Sequence, residues 1–216
     1  MGCLGLFILL LILIPILLFL FFSQVITISF AKLGLSPEAA AVLLILSLVG
    51  SMINIPLSRR QISIEEPGSQ RTSLPFIFYT PPKVRKQTLA INVGGAVIPI
   101  CFSIYLLMTR APLWPTIIAT AVVAGVAKLL ARPRPGIGIG LPLFIPPLVS
   151  VGLALLLAPD SSAPVAYICG TMGTLIGADL LNFRSFQKLG AQVLSIGGAG
   201  VFDGIFLVGI AAVLLA

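Results

Sequence analysis

Apolar residues run along this chain in long blocks, and the polar residues gather in the gaps between them. Residues 4–30 open with GLFILLLILIPILLFLFF, which predicts a first helix kinked at Pro15, where the ring removes a backbone donor. This block lacks the basic start and small-residue cleavage site of a signal peptide, and it is too long for one. Ser36, Pro37 and Glu38 read as N-cap, first helical residue and first-turn acid of a second helix over about 38–56. Further apolar segments follow at about 88–109, 113–130, 141–158, 163–183 and 191–215. Trp114 at the head of the fourth fits an interface anchor. No internal repeat stands out.

Two stretches break the pattern. Residues 57–87 form a polar, basic loop whose middle piece, LPFIFY at 74–79, is too short to span and suits the membrane interface. Residues 131–147, ARPRPGIGIGLPLFIPP, carry too many prolines and glycines for a regular helix. They predict a loop, extended around Gly136–Gly140, that enters a fifth segment which is short, tilted or re-entrant.

Composition turns this pattern into a class. Of the 216 residues, 58% are hydrophobic and 9% charged, against roughly 25% charged in a soluble domain. A mean hydropathy of +1.17 excludes a soluble globular domain, a disordered chain and a disulfide-rich module. The expectation is one integral membrane domain over 1–216: an all-α polytopic bundle of about seven spans, or six plus a broken segment. Charge supplies the orientation. Of 13 basic residues, all but Lys32 and Arg110 fall in the loops that alternate onto one side. That asymmetry predicts a cytoplasmic N-terminus and a multi-pass protein of the cell inner (plasma) membrane. The net charge of +7 then reads as attraction to anionic lipid headgroups, with no nucleic-acid partner. The chain has no histidine, and Cys3, Cys101 and Cys169 have no paired spacing, so no metal site and no cofactor is expected. A homodimer is compatible with the size, and no motif requires one.

Candidate chemistry lies in the last two segments. Four of the six acids sit in a helix start, a loop or a turn; Asp179 and Asp203 lie inside apolar runs. An intramembrane carboxylate is costly and marks a functional site by default. Asp179 lies about 6 Å above the cytoplasmic end of its segment. Asp203 reaches a matching depth of about 8–12 Å if its helix starts late, near Ser195–Gly198. The glycines there favour a late start. Gly170, Gly173, Gly177, Gly197, Gly198, Gly200 and Gly204 would let the two segments pack closely, with the two carboxylates facing each other. Such a pair shares one proton and serves acid–base hydrolysis. It serves a proton- or cation-coupled transporter equally well, with Asn182 and Asn92 as added ligands. Alternatively, Asp179 is a structural residue bonded to Thr171, Thr174 or Asn182, or is neutralised by Arg184 or Lys188. Arg132 and Arg134 in ARPRPG read as charge anchors, as a headgroup site, or as part of a gate over the acids.

The stretches ARPRPG, LIGADLLNF and SIGGAGVFDGIFLVGI resemble those of a family of uncharacterised bacterial and archaeal integral membrane proteins, catalogued as a domain of unknown function. The resemblance covers most of residues 45–216 and implies a prokaryotic origin and a polytopic helical fold. The chain also resembles the presenilin and signal-peptide-peptidase type of intramembrane aspartic protease, which places one aspartate on each of two adjacent spans. That likeness implies Asp179 and Asp203 as the catalytic pair and a transmembrane peptide as substrate. Ala178 stands where those enzymes have Tyr, Phe202 where they have Gly, and no later helix carries their proline-rich motif. A coupling ion in a transporter and a non-catalytic structural role are the other two expectations.

Overall fold

A computed structural model of the chain describes residues 3–64, 83–134, 138–142, 144–183, 193–198 and 204–216. The chain is mostly helical. Helix α1 spans Cys3–Lys32 and α2 spans Pro37–Ser51. The turn between them uses Gly34 at φ 74°, a conformation that costs glycine nothing. Ser36 caps α2, its hydroxyl accepting the Ala39 N–H at 3.3 Å, and Pro37 follows at the first helical position. Both meet the expectation from sequence. Ser36→Ala is expected to cost about 1 kcal/mol, read as a fall of about 2–4 °C in the thermal unfolding midpoint in detergent.

After α2 the chain departs from an all-α bundle. Strand β1 spans Asn54–Ile64 and β2 spans Lys83–Asn92; they pair antiparallel, from Asn54 opposite Asn92 out to Ile64 opposite Lys83. The second helix therefore ends at Ser51, short of the expected 56, because Pro56 cannot donate to a helical ladder. The register shifts between Pro56 and Ser58, the kind of irregularity where a strand tolerates proline. The basic residues expected in an irregular loop, Arg59, Arg60, Lys83, Arg85 and Lys86 among them, lie instead on this two-stranded arm.

The expected third helix likewise begins late. Residues 88–92 complete β2, a π-helical turn covers Val93–Val97, and α3 runs Ile98–Thr109. Helix α4 is Leu113–Leu130, at the bounds read from sequence, with Trp114 exposed at its head. ARPRPG and the glycines after it hold a small hairpin, β3 (Arg132–Arg134) against β4 (Gly138–Gly140), with Arg132 opposite Gly140. Helix α5 is Ile145–Leu157. Helix α6 (Ser162–Thr174) continues into a second π-helical turn, Leu175–Leu180. The last apolar segment also opens as a strand: β5, Val193–Ile196, joins the sheet parallel to β2, giving the order β1-β2-β5, before α7, Gly204–Leu215. The helix expected to start near Ser195–Gly198 therefore begins at Gly204, because residues 193–196 take their hydrogen bonds from β2.

Helix α6 is the axis of the core. From Ala163 to Thr171 every residue is buried. Its glycines set how closely the neighbours approach. A Cβ on Gly173 would lie 2.7 Å from Val123, and one on Gly177 would lie 2.8 Å from Ala127 Cβ, so these two glycines face α4. The expectation that they pack the last two segments together is corrected: of the three, Gly170 turns to α7, where a Cβ would lie 3.4 Å from Val208 and 3.5 Å from Ala212, beside Ser150 of α5 at 3.2 Å. From the α7 side, Gly209 fits against Thr171 and Tyr167. Tyr167 is fully buried and meets the Phe102 ring edge-on at 5.1 Å, so it is a core residue.

Among the described residues, Leu113–Leu130 and Pro159–Leu180 are long and apolar enough to cross a membrane. Ser23–Lys32 with Pro37–Ser51 adds a third if that pair, bent by 111°, counts as one span. Val93–Thr109 and Ile145–Leu157 are apolar but shorter, so the described helices give two or three such spans where seven were expected. Large apolar side chains stand exposed on α1, α2, α4 and α5, among them Leu17, Ile45, Ile118 and Leu156, as lipid-facing surfaces require. Lys32 donates to Leu214 O at 3.1 Å, Arg110 to Gly34 O and Ser162 to Ala216 O, which gathers Lys32 and Arg110 at one end of the molecule. Lys128, in the last turn of α4, and Arg132, just past it, lie at the opposite end of α4 from Trp114.

Candidate functional site

The site is built where α6 loosens and β5 stops. Within the π-helical turn, Gly177 sits against α4 and Asp179 follows two residues later. Insertions of this kind widen the helix by one residue per turn and recur at functional sites. On the other wall, Ile196 ends β5 and the chain turns through Gly197 at φ 81° and Gly198 at φ 92°, a region side-chain-bearing residues rarely enter. Gly197 also lies where a Cβ would come within 2.6 Å of Ala96 Cβ. It is thus pressed against the first turn after β2.

These two irregularities meet. The Gly197 N–H donates to Asp179 Oδ2 at 2.8 Å. The carboxylate takes the backbone donor that the end of β5 leaves without a ladder partner. Asn182 does not reach the acid; its amide donates to Gly177 O at 3.1 Å and closes the end of the π-helical turn. Thr174, one turn before the acid, is buried with no hydrogen-bond partner for its hydroxyl among the described residues; Ser103 on α3 is in the same condition.

A second polar group supports the seam. Asn92 is 1% exposed; its Oδ1 accepts the Gly95 N–H at 2.8 Å, and its amide donates to Ser51 O at 2.7 Å and Asn54 Oδ1 at 3.1 Å. Ser195 donates to the same Asn54 oxygen at 2.6 Å. Ser47 on α2 donates to Gly94 O at 2.8 Å. Together they lock the ends of β1, β2 and β5 to the end of α2. Asn54, Ser195 and Ser47 were not singled out from sequence, although Asn92 just before Gly94–Gly95 carries a helix-capping signal.

The other expected site residues divide in two groups. Gly197 and Gly198 form the turn beside Asp179, and Gly204 opens α7. Gly177 packs on α4, and Arg132 and Arg134 lie in the β3–β4 hairpin. Asp203, Gly200, Arg184 and Lys188 fall outside the described residues. No group of three His, Cys, Asp or Glu able to hold a metal ion occurs among the described residues.

Residues 48–215 match the family described as protein of unknown function, DUF1614. The chain belongs to DUF1614. The DUF1614 match runs from the last turn of α2 to the end of α7, so it takes in the whole sheet, the Asp179–Gly197 contact and the ARPRPG hairpin. It leaves out α1 and most of α2. No curated protein and no solved structure matches this DUF1614 chain.

Proposed function

We propose that this DUF1614 chain is a multi-pass inner-membrane protein with a cytoplasmic N-terminus that hydrolyses transmembrane peptides, using Asp179 and Asp203 as an aspartic pair. One carboxylate, deprotonated, takes a proton from a water. The resulting nucleophile attacks the peptide carbonyl carbon, and the protonated partner donates to the carbonyl oxygen. Collapse breaks the C–N bond: the proton held by the first carboxylate passes to the amine that leaves, and a hydroxyl proton of the intermediate returns to the partner as the product's C=O reforms. The pair titrates as one unit.

The observation that carries this reading is the 2.8 Å bond from the Gly197 N–H to Asp179. It ties the acid of one apolar segment to the stretch that leads into the other, Gly197 lying six residues before Asp203. The packing of α6 on α7 adds support. Gly170 meets Val208 and Ala212, and eight residues earlier Ser162 donates to Ala216 O, so the helices run antiparallel. Carried back to the start of α7, that register sets Gly204 level with about Leu175, roughly 6 Å along the axis from Asp179. Asp203 is the chain neighbour of Gly204. Lys128 and Arg132, both exposed, meet anionic headgroups at that membrane face.

A specific feature favours a second reading, proton- or cation-coupled transport. Both walls of the site are broken elements, a π-helical turn and a strand that ends in two positive-φ glycines. Discontinuous elements of this kind line coupling-ion sites in transporters. The test is reconstitution in liposomes with a transmembrane peptide substrate, comparing the parent with Asp179→Asn and Asp203→Asn. Cleavage lost in both variants is the expected result. Cleavage retained in both rejects the aspartic mechanism. Proton or cation flux that disappears in the same variants, without cleavage in the parent, assigns the pair to transport.

A further inference from the structure

The parallel pairing of β2 with β5 exposes a relation that the linear sequence hides. Leu89 lies opposite Leu194, Ala90 opposite Ser195 and Ile91 opposite Ile196. Read in that register, the strands are near copies: Gln87-Thr-Leu-Ala-Ile91 and Gln192-Val-Leu-Ser-Ile196. Gly-Gly-Ala follows each, at 94–96 after an inserted Asn92–Val93 and at 197–199 directly. An apolar helix then follows each, α3 and α7.

The likeness extends to the helices before the strands. Leu48-Val-Gly-Ser51 ends α2, and Leu175-Ile-Gly-Ala178 lies in the π-helical turn that ends α6. Pro37 stands thirteen residues before Gly50, and Pro164 stands thirteen before Gly177. In this alignment Ser47 matches Thr174, and Met52 matches Asp179. The contacts match at the two helix ends, although Gly177, the counterpart of Gly50, packs on α4. The end of α2 sits on Gly94, with Gly50 placed so that a Cβ would be 3.0 Å from Gly94 N. The end of the α6 turn sits on Gly197, the first glycine of the other Gly-Gly-Ala.

We propose that residues 37–109 and 164–215 are two copies of one helix–strand–glycine–helix unit, the first carrying β1 in addition, whose strands β2 and β5 lie side by side, and that Asp179 is an acid added to the second copy, which makes that junction the proton-holding site and leaves its twin at Met52 structural. This rests on the reading of Asp179 as a functional acid given above. The first copy serves as an internal control. There the helix end and the glycine turn are joined without any acid: Ser47 donates to Gly94 O at 2.8 Å. Met52, in the place of the acid, is 79% exposed. A main-chain carbonyl therefore suffices to close such a junction. In the second copy a carboxylate does that task, and the matching Thr174 hydroxyl is buried with no partner among the described residues. That junction has a charge its geometry does not need and a donor left over, which suits a proton and the water that exchanges it.

Three measurements on the full chain in detergent test this. With the native cysteines replaced, Ala90→Cys/Ser195→Cys should form a disulfide readily, whereas Ala90→Cys/Val193→Cys should not, since only the first pair are Cα partners. Cross-linking in the second pair alone would overturn the duplication. Asp179→Asn keeps an oxygen acceptor for Gly197, so its unfolding midpoint should stay within about 3 °C of the parent; a fall beyond about 6 °C would make the charge structural and overturn the proposal. Finally, an apolar carbodiimide, which labels protonated carboxyls shielded from water, should modify Asp179 in the parent, as read by peptide mass, and should give no label at position 52 in Met52→Asp. Absence of label at Asp179 overturns the proton-holding assignment whether or not peptides are cleaved. Label at Asp179 without peptide cleavage upholds it and ends only the hydrolase reading.

Discussion

Asp179→Asn is expected to lower peptide cleavage by at least about 100-fold while leaving the protein folded. The magnitude follows from what the substitution removes. An amide can still accept the Gly197 N–H through its oxygen, so the 2.8 Å contact and the β5 turn persist. It can neither take a proton from water nor share one with Asp203, and positioned acid–base catalysis is worth about 10²–10⁴-fold. The companion Asp179→Ala should lose the same activity and stability besides. It strands a buried backbone donor, a loss of about 1–3 kcal/mol. Initial rates on a labelled transmembrane peptide, with thermal unfolding of each purified variant, separate the two effects. Asn at 179 with cleavage near the parent rate would show that the carboxylate serves only as a hydrogen-bond acceptor.

Gly94→Ala should produce the largest loss of stability from the smallest change. A methyl there would run into Ser47 O and Ser51 N and lie 2.9 Å from Gly50 C. All three are main-chain atoms of α2, so no rotamer change relieves the contact. Overpacking of this kind costs about 1–3 kcal/mol, or about 2–12 °C in the unfolding midpoint of a chain this size. The Ser47–Gly94 bond and the Asn92 network anchor the same contact and would be strained with it. Gly125→Ala and Gly152→Ala are the controls. A Cβ at either meets nothing within 4 Å, and alanine is the better helix former by about 1 kcal/mol. Those two should be neutral or stabilising. Equal losses at all three positions would show that helix backbone, not the α2–α3 contact, sets the response.

How much of this was legible in advance varies by element. Helix α4 and the Ser36 cap were readable because their signals are local: an unbroken apolar run ending at Lys128–Leu130, and a hydroxyl three residues before the N–H it accepts. Asp179 stood out because a carboxylate in an apolar run is rare and costly. Its partner was not legible. Sequence suggested Thr171, Thr174, Asn182 or Asp203, and the described contact is a glycine main-chain donor, which leaves no side-chain signature. The glycines of α6 were read correctly as close-packing positions but assigned to one neighbour. Which face meets α4 and which meets α7 depends on the rotation of the helix in the bundle.

The amino-acid order by itself determined that this chain seeks an apolar environment, where α1, α2 and α4 begin, and in which stretches its positive charge collects. Those properties follow from hydropathy and from hydrogen bonds that close within four residues. Only the tertiary structure decided that TLAIN and VLSI are strands, because a ladder draws its hydrogen bonds from another segment. The segment that completes β2 lies about a hundred residues further on. The same long-range pairing set the two glycine turns side by side and put a backbone N–H against Asp179, a contact that follows from packing, not from the residues adjacent in the chain.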